Sequence, residues 1–257
     1  MDQSRPLITL EVCIDSLVSA KAAAAHSAQR VELNAGLELG GLTPSIGLVE
    51  QVVAELKPTG CQVIAMVRPR PGGFAYNADE LTAMRLDIDR LLTAGVDGVA
   101  LGVLKSDGRI DEDANRALIK PVLDAGKQAV FHRAFDLTPD AAEAINTLIS
   151  IGFHRVLTSG QAPTAIQGAA VICELMTQAN GRIEVLPGSG IKPDNVEALI
   201  RATGCTQVHG SLWHTGEDRS GSTNPSIQFN TVPPTDNGYH QTDPDQLASM
   251  VNKLRNL

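Results

Sequence analysis

Eight times along this chain, a short run rich in β-branched residues gives way to a longer stretch with helical apolar period. Such alternation is the mark of βαβ units built on a parallel sheet. The strand candidates are residues 7–13, 30–34, 61–67, 97–102, 128–132, 155–158, 183–186 and 206–209. Their starts recur about every 30 residues, the size of one βα unit. Eight strands and eight helices can form an open sheet or a closed barrel; the even spacing favours closure. A chain of 257 residues also matches the roughly 250 that one (β/α)8 TIM barrel uses. We therefore expect a single α/β domain spanning 1–257.

The helices declare themselves through their ends. Pro44, Pro139, Pro163 and Pro193 each follow a strand region, where a proline can open a helix because the first helical N–H has no partner to lose. On this reading Thr43 and Thr138 are N-caps. Asn77 and Glu80 have capping-box spacing, and Gly95, Gly152 and Gly204 stand where helices should stop. Pro121 falls inside the fourth helical pattern and is expected to kink or shorten it. After the eighth strand, residues 213–242 are rich in Gly, Pro, Ser, Thr and Asn, show no period and read as a long loop. A last helix within 245–257 offers Leu247, Met250, Val251 and Leu254 as a face that seals the barrel.

Composition narrows the partners. A net charge of −8 argues against a phosphate backbone, so no nucleic acid is expected, and no apolar run reaches the length of a membrane span. The four cysteines, Cys13, Cys61, Cys173 and Cys205, include no C-x-x-C pair, and no signal-like stretch precedes the first strand; both point to the cytoplasm. Small molecules or ions remain as ligands.

In this fold the chemistry gathers where the strands end. Side chains two apart share a strand face, which places Glu11 with Cys13 and Glu32 with Asn34. If these point inward, two carboxylates meet, and one must have a raised pKa unless a cation lies between them. Arg68, at the end of the third strand, is the expected cation. Residues 131–136 read FHRAFD; His132 and Asp136 could move protons, and Arg133 could grip a carboxylate or phosphate. Arg70 adds a second rim cation after the third strand. Ser159-Gly160, Gly188-Ser189-Gly190 and His209-Gly210-Ser211 follow later strands, where backbone N–H groups of glycine-rich turns could hold an anion. The same residues could equally form a structural ion network and tight turns. For metal, there is no H-E-x-x-H and no cysteine pair, so Cys13 is the one rim thiol.

These motifs together resemble the CutC family, named for copper homeostasis. The likeness runs over about 11–211. It rests on Glu11-Val12-Cys13, Arg30-Val31-Glu32-Leu33, Gly40-Gly41-Leu42-Thr43-Pro44-Ser45, Met66-Val67-Arg68-Pro69-Arg70, the FHRAFD segment, Leu157-Thr158-Ser159-Gly160 and Pro187-Gly188-Ser189-Gly190. The resemblance implies a (β/α)8 barrel, a cytoplasmic location and a role in copper handling, with copper(I) as ligand and Cys13 as its donor. Two departures bear on that role. Gly73 stands where many relatives carry an Asp, and Asn34 stands where some carry a second cysteine, which would face Cys13.

Three functions follow from these readings: copper handling through Cys13; an enzyme for a small phosphorylated or carboxylate anion, with Glu11, Glu32, Arg68, His132 and Asp136 as catalytic groups; or an assembly role, a homo-oligomer included, using the 213–242 loop.

Overall fold

The computed structural model describes residues 8–224, 226, 227, 229 and 238–257. Eight parallel strands form one sheet: β1 (Thr9–Ile14), β2 (Arg30–Leu33), β3 (Gln62–Met66), β4 (Gly98–Leu101), β5 (Gln128–Phe131), β6 (Arg155–Thr158), β7 (Glu184–Pro187) and β8 (Gln207–Gly210). Neighbours pair in sequence order from β1 to β7, and β8 returns to pair with β1. At the seam with β7, the Gln207 Nε2 donates to Val185 O at 3.5 Å and Glu184 Oε2 at 3.3 Å. The expected closure holds, and residue 7, the proposed start of β1, lies outside the described residues.

Helices α1 (Leu17–Ala25), α2 (Ile46–Leu56), α3 (Ala78–Ala94), α4 (Glu112–Asp124), α5 (Ala141–Ile151), α6 (Ala169–Ala179) and α7 (Val196–Thr203) follow the first seven strands. Their apolar stripes pack on the outward faces of the strands, burying for example Val12, Val31, Val99 and Phe131 in one continuous core. Inside the barrel a second, smaller cluster holds Ile64, Met66, Ala100 and Val130 from β3 to β5. The remaining inward positions are polar, and it is those that build the site.

The prolines sit further upstream than expected. The N-caps are Ser45, Asp140, Gly168 and Asn195, so Pro44, Pro139, Pro163 and Pro193 belong to the lead-in turns. A fixed φ suits those turns as well as a first helical residue, and the side chains of Ser45 and Asp140 reach the N–H groups that the threonines do not. Thr43 instead bonds the backbone of Arg68 through its hydroxyl. The capping box of Asn77 and Glu80 is formed, and Gly95, Gly152 and Gly204 close their helices in the left-handed conformation. Helix α4 runs past Pro121 to Asp124. Pro121 has no N–H to give the ladder, and the helix ends three residues after it.

The segment after β8 is not plain loop. It opens and closes with an antiparallel pair, β9 (Trp213–Glu217) and β10 (Gly238–Thr242), with Trp213 opposite Thr242. Period-2 alternation was hidden there because the two short strands are mostly polar on both faces. Helix α8 (Pro244–Arg255) then buries Leu247, Met250, Val251 and Leu254 as expected. No helix among the described residues is long and apolar enough to cross a membrane.

Candidate metal centre

Two polar layers occupy the barrel between β6, β7, β8, β1 and β2. The lower one joins Glu11, Arg30, Arg155, Glu184 and Gln207. Parallel register sets Glu11 against Arg30, and the Arg30 guanidinium ion-pairs with the Glu11 carboxylate. Arg30 also donates to Gln207 Oε1 at 2.7 Å, which accepts from Arg155 Nε at 3.1 Å, while Arg155 pairs with Glu184 at 2.7 Å. Burial works to raise the Glu11 pKa, but Arg30 and a hydrogen bond from His209 bring it down to about 2. Glu11 is thus a fixed negative charge.

The upper layer faces the mouth. Register sets Cys13 against Glu32, and the Cys13 Sγ lies 3.7 Å from Glu32 Oε2. From β8, His209 spans both layers: its Nδ1 is 2.8 Å from Glu11 Oε1 and its Nε2 is 4.0 Å from Glu32 Oε2. Because an ionised carboxylate only accepts, the Nδ1 must carry a proton, and Nε2 is turned towards Glu32 and Cys13. A carboxylate that fixes an imidazole through one nitrogen and leaves the other for a ligand is the usual outer shell of a metal-bound histidine. One ligand atom each from Cys13, Glu32 and His209 lies within 4.8 Å of the others. Donors about 2.0 to 2.3 Å from one ion at tetrahedral angles stand roughly 3.3 to 3.8 Å apart, so one ion could hold all three if they drew together by about an ångström.

Its proton affinities suit a cation. Burial pushes the Cys13 thiol well above its usual value, and the carboxylates of Glu32 and Glu11 push it further. Burial likewise raises Glu32, with Glu11 adding to it against the opposing pull of His209 and Asn34. Burial lowers His209, yet the bond to Glu11 and the charge of Glu32 leave it raised. The Cys13 thiol therefore holds a proton that a metal would have to displace. One thiolate, one imidazole and one carboxylate make a borderline set, open to copper and to zinc.

Several rim residues behave differently from the sequence expectation. Arg68 is not the cation between the glutamates: His209 lies between them, and Arg30 pairs with Glu11. The Arg68 guanidinium instead donates to the carbonyls of Leu39, Gly41 and Gly72, and stacks on Phe74 at 4.9 Å. Arg70 is ion-paired with Glu80 at the start of α3. Asp136 accepts from Thr158, the backbone of Ser159 and Gln161, and Arg133, so it ties the β5 and β6 loops together. The hydroxyl of Ser159 donates to Ala162 O and accepts from Arg133, and Gly160 N donates to Thr158 Oγ1. These bonds occupy the groups expected to bind a ligand or move protons.

His132 does face the mouth, but as a neutral ring: burial, then the charge of Arg68, lowers its pKa to about 3. Its Nδ1 accepts from Ala134 N at 3.2 Å. Gly102 leaves room for it, since a Cβ there would lie 2.8 Å from the ring. Gly188 has a similar task, its missing Cβ being replaced by Leu157 and the flank of His209. Ser189 Oγ donates to Pro163 O, while Gly190 and Ser211 line a cavity of about 440 Å³ with Arg133, Lys192, Cys13 and His209.

Asn34 reaches Cys13 as its sequence position implies, its Nδ2 lying 3.4 Å from Sγ and 3.1 Å from Glu32 Oε2. It orients the two groups and adds no thiolate. Sequence reasoning missed Arg30 and His240. Arg30 was legible, since it stands two residues before Glu32 on the same face. His240 was not, because nothing in an aperiodic segment says where it returns.

Comparison with known proteins bears on this centre. The CutC family model matches residues 8–214. A CutC family protein of Treponema denticola is 41% identical over 96% of this chain and 99% of its own length; one of Vibrio campbellii is 40% identical over 95% and 98%. A CutC crystal structure from Streptococcus agalactiae superposes with a TM-score of 0.74 at 36% identity, covering 79% of this chain and 98% of that one. A native KDPGal structure, at 15% identity and a TM-score of 0.59 over 100% of this chain and 97% of its own, shares the barrel alone.

Proposed function

The chain belongs to the CutC family, and from that premise we propose that it binds copper in its barrel mouth through Cys13, His209 and Glu32, as a copper-handling protein of the cytoplasm. The Streptococcus agalactiae relative is named for copper homeostasis. The observation that carries the reading is the Glu11–His209 bond, which holds Nε2 towards a thiol and a carboxyl group. Thiolate is the preferred donor for copper(I), and imidazole serves copper in either state. The four free cysteines are consistent with a reducing compartment that keeps Cys13 available.

In this reading Arg30 holds Glu11 ionised, Glu11 holds His209 in the ligating tautomer, and Asn34 holds the Cys13 and Glu32 side chains side by side. Loading displaces the Cys13 proton, so affinity should rise with pH, roughly tenfold per unit for each proton displaced. Competition titrations with a copper(I) chelator test the assignment. Cys13→Ala should weaken binding by at least about 100-fold, and Glu11→Gln by about 10 to 100-fold through the histidine it orients. Equal affinity in wild type and Cys13→Ala would remove the centre; tighter binding of zinc than copper would keep the centre and remove copper from it.

A further inference from the structure

Three donors leave a metal with room for another, and the walls of the mouth show where it comes from. The cavity in front of Cys13, Glu32 and His209 measures about 220 Å³. The further wall side chains with atoms of ligating type are Asn34, whose amide donates to Cys13 and Glu32, together with Ser211, Met66, His132 and His240. Met66 is packed with Ile64, Ala100 and Val130 inside the barrel. His132 is ruled out by its tautomer. Ala134 N donates to its Nδ1, so the proton lies on Nε2, which is a donor and has no lone pair to give. His240 Nδ1 is likewise buried without a hydrogen-bond partner, as His132 Nε2 is, but no backbone N–H fixes the proton on the ring of His240, so its Nδ1 can present a lone pair. The ring lies outside the 4.8 Å grouping of Cys13, Glu32 and His209, so the hairpin has to carry it inward to a bound ion.

The position of His240 is set from outside the barrel. It lies on β10, two residues from Thr242, which pairs with Trp213, so the two rings are diagonal neighbours on one face of the hairpin. Their centroids are 4.0 Å apart. The base of the hairpin is tied to the barrel by Thr242 N donating to Ser19 Oγ at 3.1 Å and Asp243 N to Leu212 O at 2.8 Å. A buried imidazole nitrogen left without a partner is costly, and one on the wall of a cavity holding three metal-ligand groups has an obvious use.

We propose that His240, carried by the β9–β10 hairpin, is the fourth donor of the mouth centre, giving a metal two imidazoles, one thiolate and one carboxylate. This rests on the reading of Cys13, Glu32 and His209 as ligands. The hairpin supplies by a second imidazole what Asn34 cannot supply as a thiolate. It also makes the centre a product of the chain beyond the stretch that the family model matches, which ends at residue 214.

Trp213 is the only tryptophan in the chain, so it reports on this ligand directly. Titration with copper(I), and with silver(I) as a redox-inert probe, should change its emission in the wild type, and 15N spectra of histidine-labelled protein should show a metal shift at His240 as well as His209. His240→Phe keeps a ring against Trp213 without the donor. It should bind copper(I) about tenfold more weakly and show no emission change on loading. Wild-type affinity and an intact emission change in His240→Phe, with binding lost in Cys13→Ala, would overturn the fourth donor and leave the three-ligand centre standing. Wild-type affinity in Cys13→Ala would instead overturn the metal reading beneath it.

Discussion

Glu11 and Glu32 are buried glutamates on adjacent strands of one barrel, yet they hold protons in opposite ways. In the lower layer Glu11 meets Arg30 and the Nδ1 of His209, and its pKa falls to about 2. In the upper layer Glu32 meets a thiol, an amide and the far nitrogen of the same histidine, and its pKa is raised. Burial is common to both; what differs is a fixed cation. The lower layer has arginines and is a finished structure, whereas the upper layer lacks one and is suited to receive a cation. Pushing two carboxyl groups apart in this way is how a protein assigns them separate tasks.

Stability should separate the layers most sharply. Glu11→Gln leaves Arg30 buried without its charge partner and is expected to cost about 3 to 5 kcal/mol. Glu32→Gln strands no buried arginine and should stay within about 1 kcal/mol of wild type. Denaturant unfolding of both variants measures the contrast, and equal losses would erase the distinction drawn between the layers.

Acid unfolding sharpens it further. The folded pKa of Glu11, about 2, lies below its ordinary 4.5. Its contribution is therefore complete above pH 4.5 and is lost as pH falls from there towards 2. Glu32 runs the other way: its folded pKa is raised, so its contribution is complete below 4.5 and is lost as pH rises through the raised value. Subtracting the pH profile of Glu11→Gln from wild type should leave a limb that falls on acidification, and the Glu32→Gln difference should have the opposite slope. Slopes of one sign in both would contradict the pairing described here.

The smallest effect belongs to a site in neither layer. Asn77 caps α3 by accepting from Glu80 N at 2.9 Å. Asn77→Ala should cost about 1 kcal/mol while leaving copper(I) affinity at the wild-type value. A matching fall in affinity would mean that general loosening, and not the upper layer, governs binding.

Much of this was legible in advance. The alternation that reads as eight βα units is a local property, because each helix stripe and strand run is written in near neighbours. The pairing of faces was legible for the same reason: Glu11 with Cys13 and Glu32 with Asn34 follow from a period of two. The capping box at Asn77 and the sealing face of α8 were equally local. The prolines misled because one fixed φ serves both a turn and a first helical residue. Arg68 and Arg70 misled because a charge near the end of a strand was read as a charge in the site, when the loops after β2 and β3 supply carbonyls and the start of α3 a glutamate to hold them.

The sequence by itself therefore determined the barrel and the inward polar faces of β1 and β2. Only the tertiary structure decided who meets whom on those faces. His209 reaches Glu11 across 198 positions of chain, and His240 enters the mouth from a hairpin that lies outside the repeating units. Periodicity fixes the side on which a residue points, through contacts a few positions away. The distance between two such residues depends on strand register, on the closing of β8 against β1 and on the path of the last hairpin, none of which is written locally.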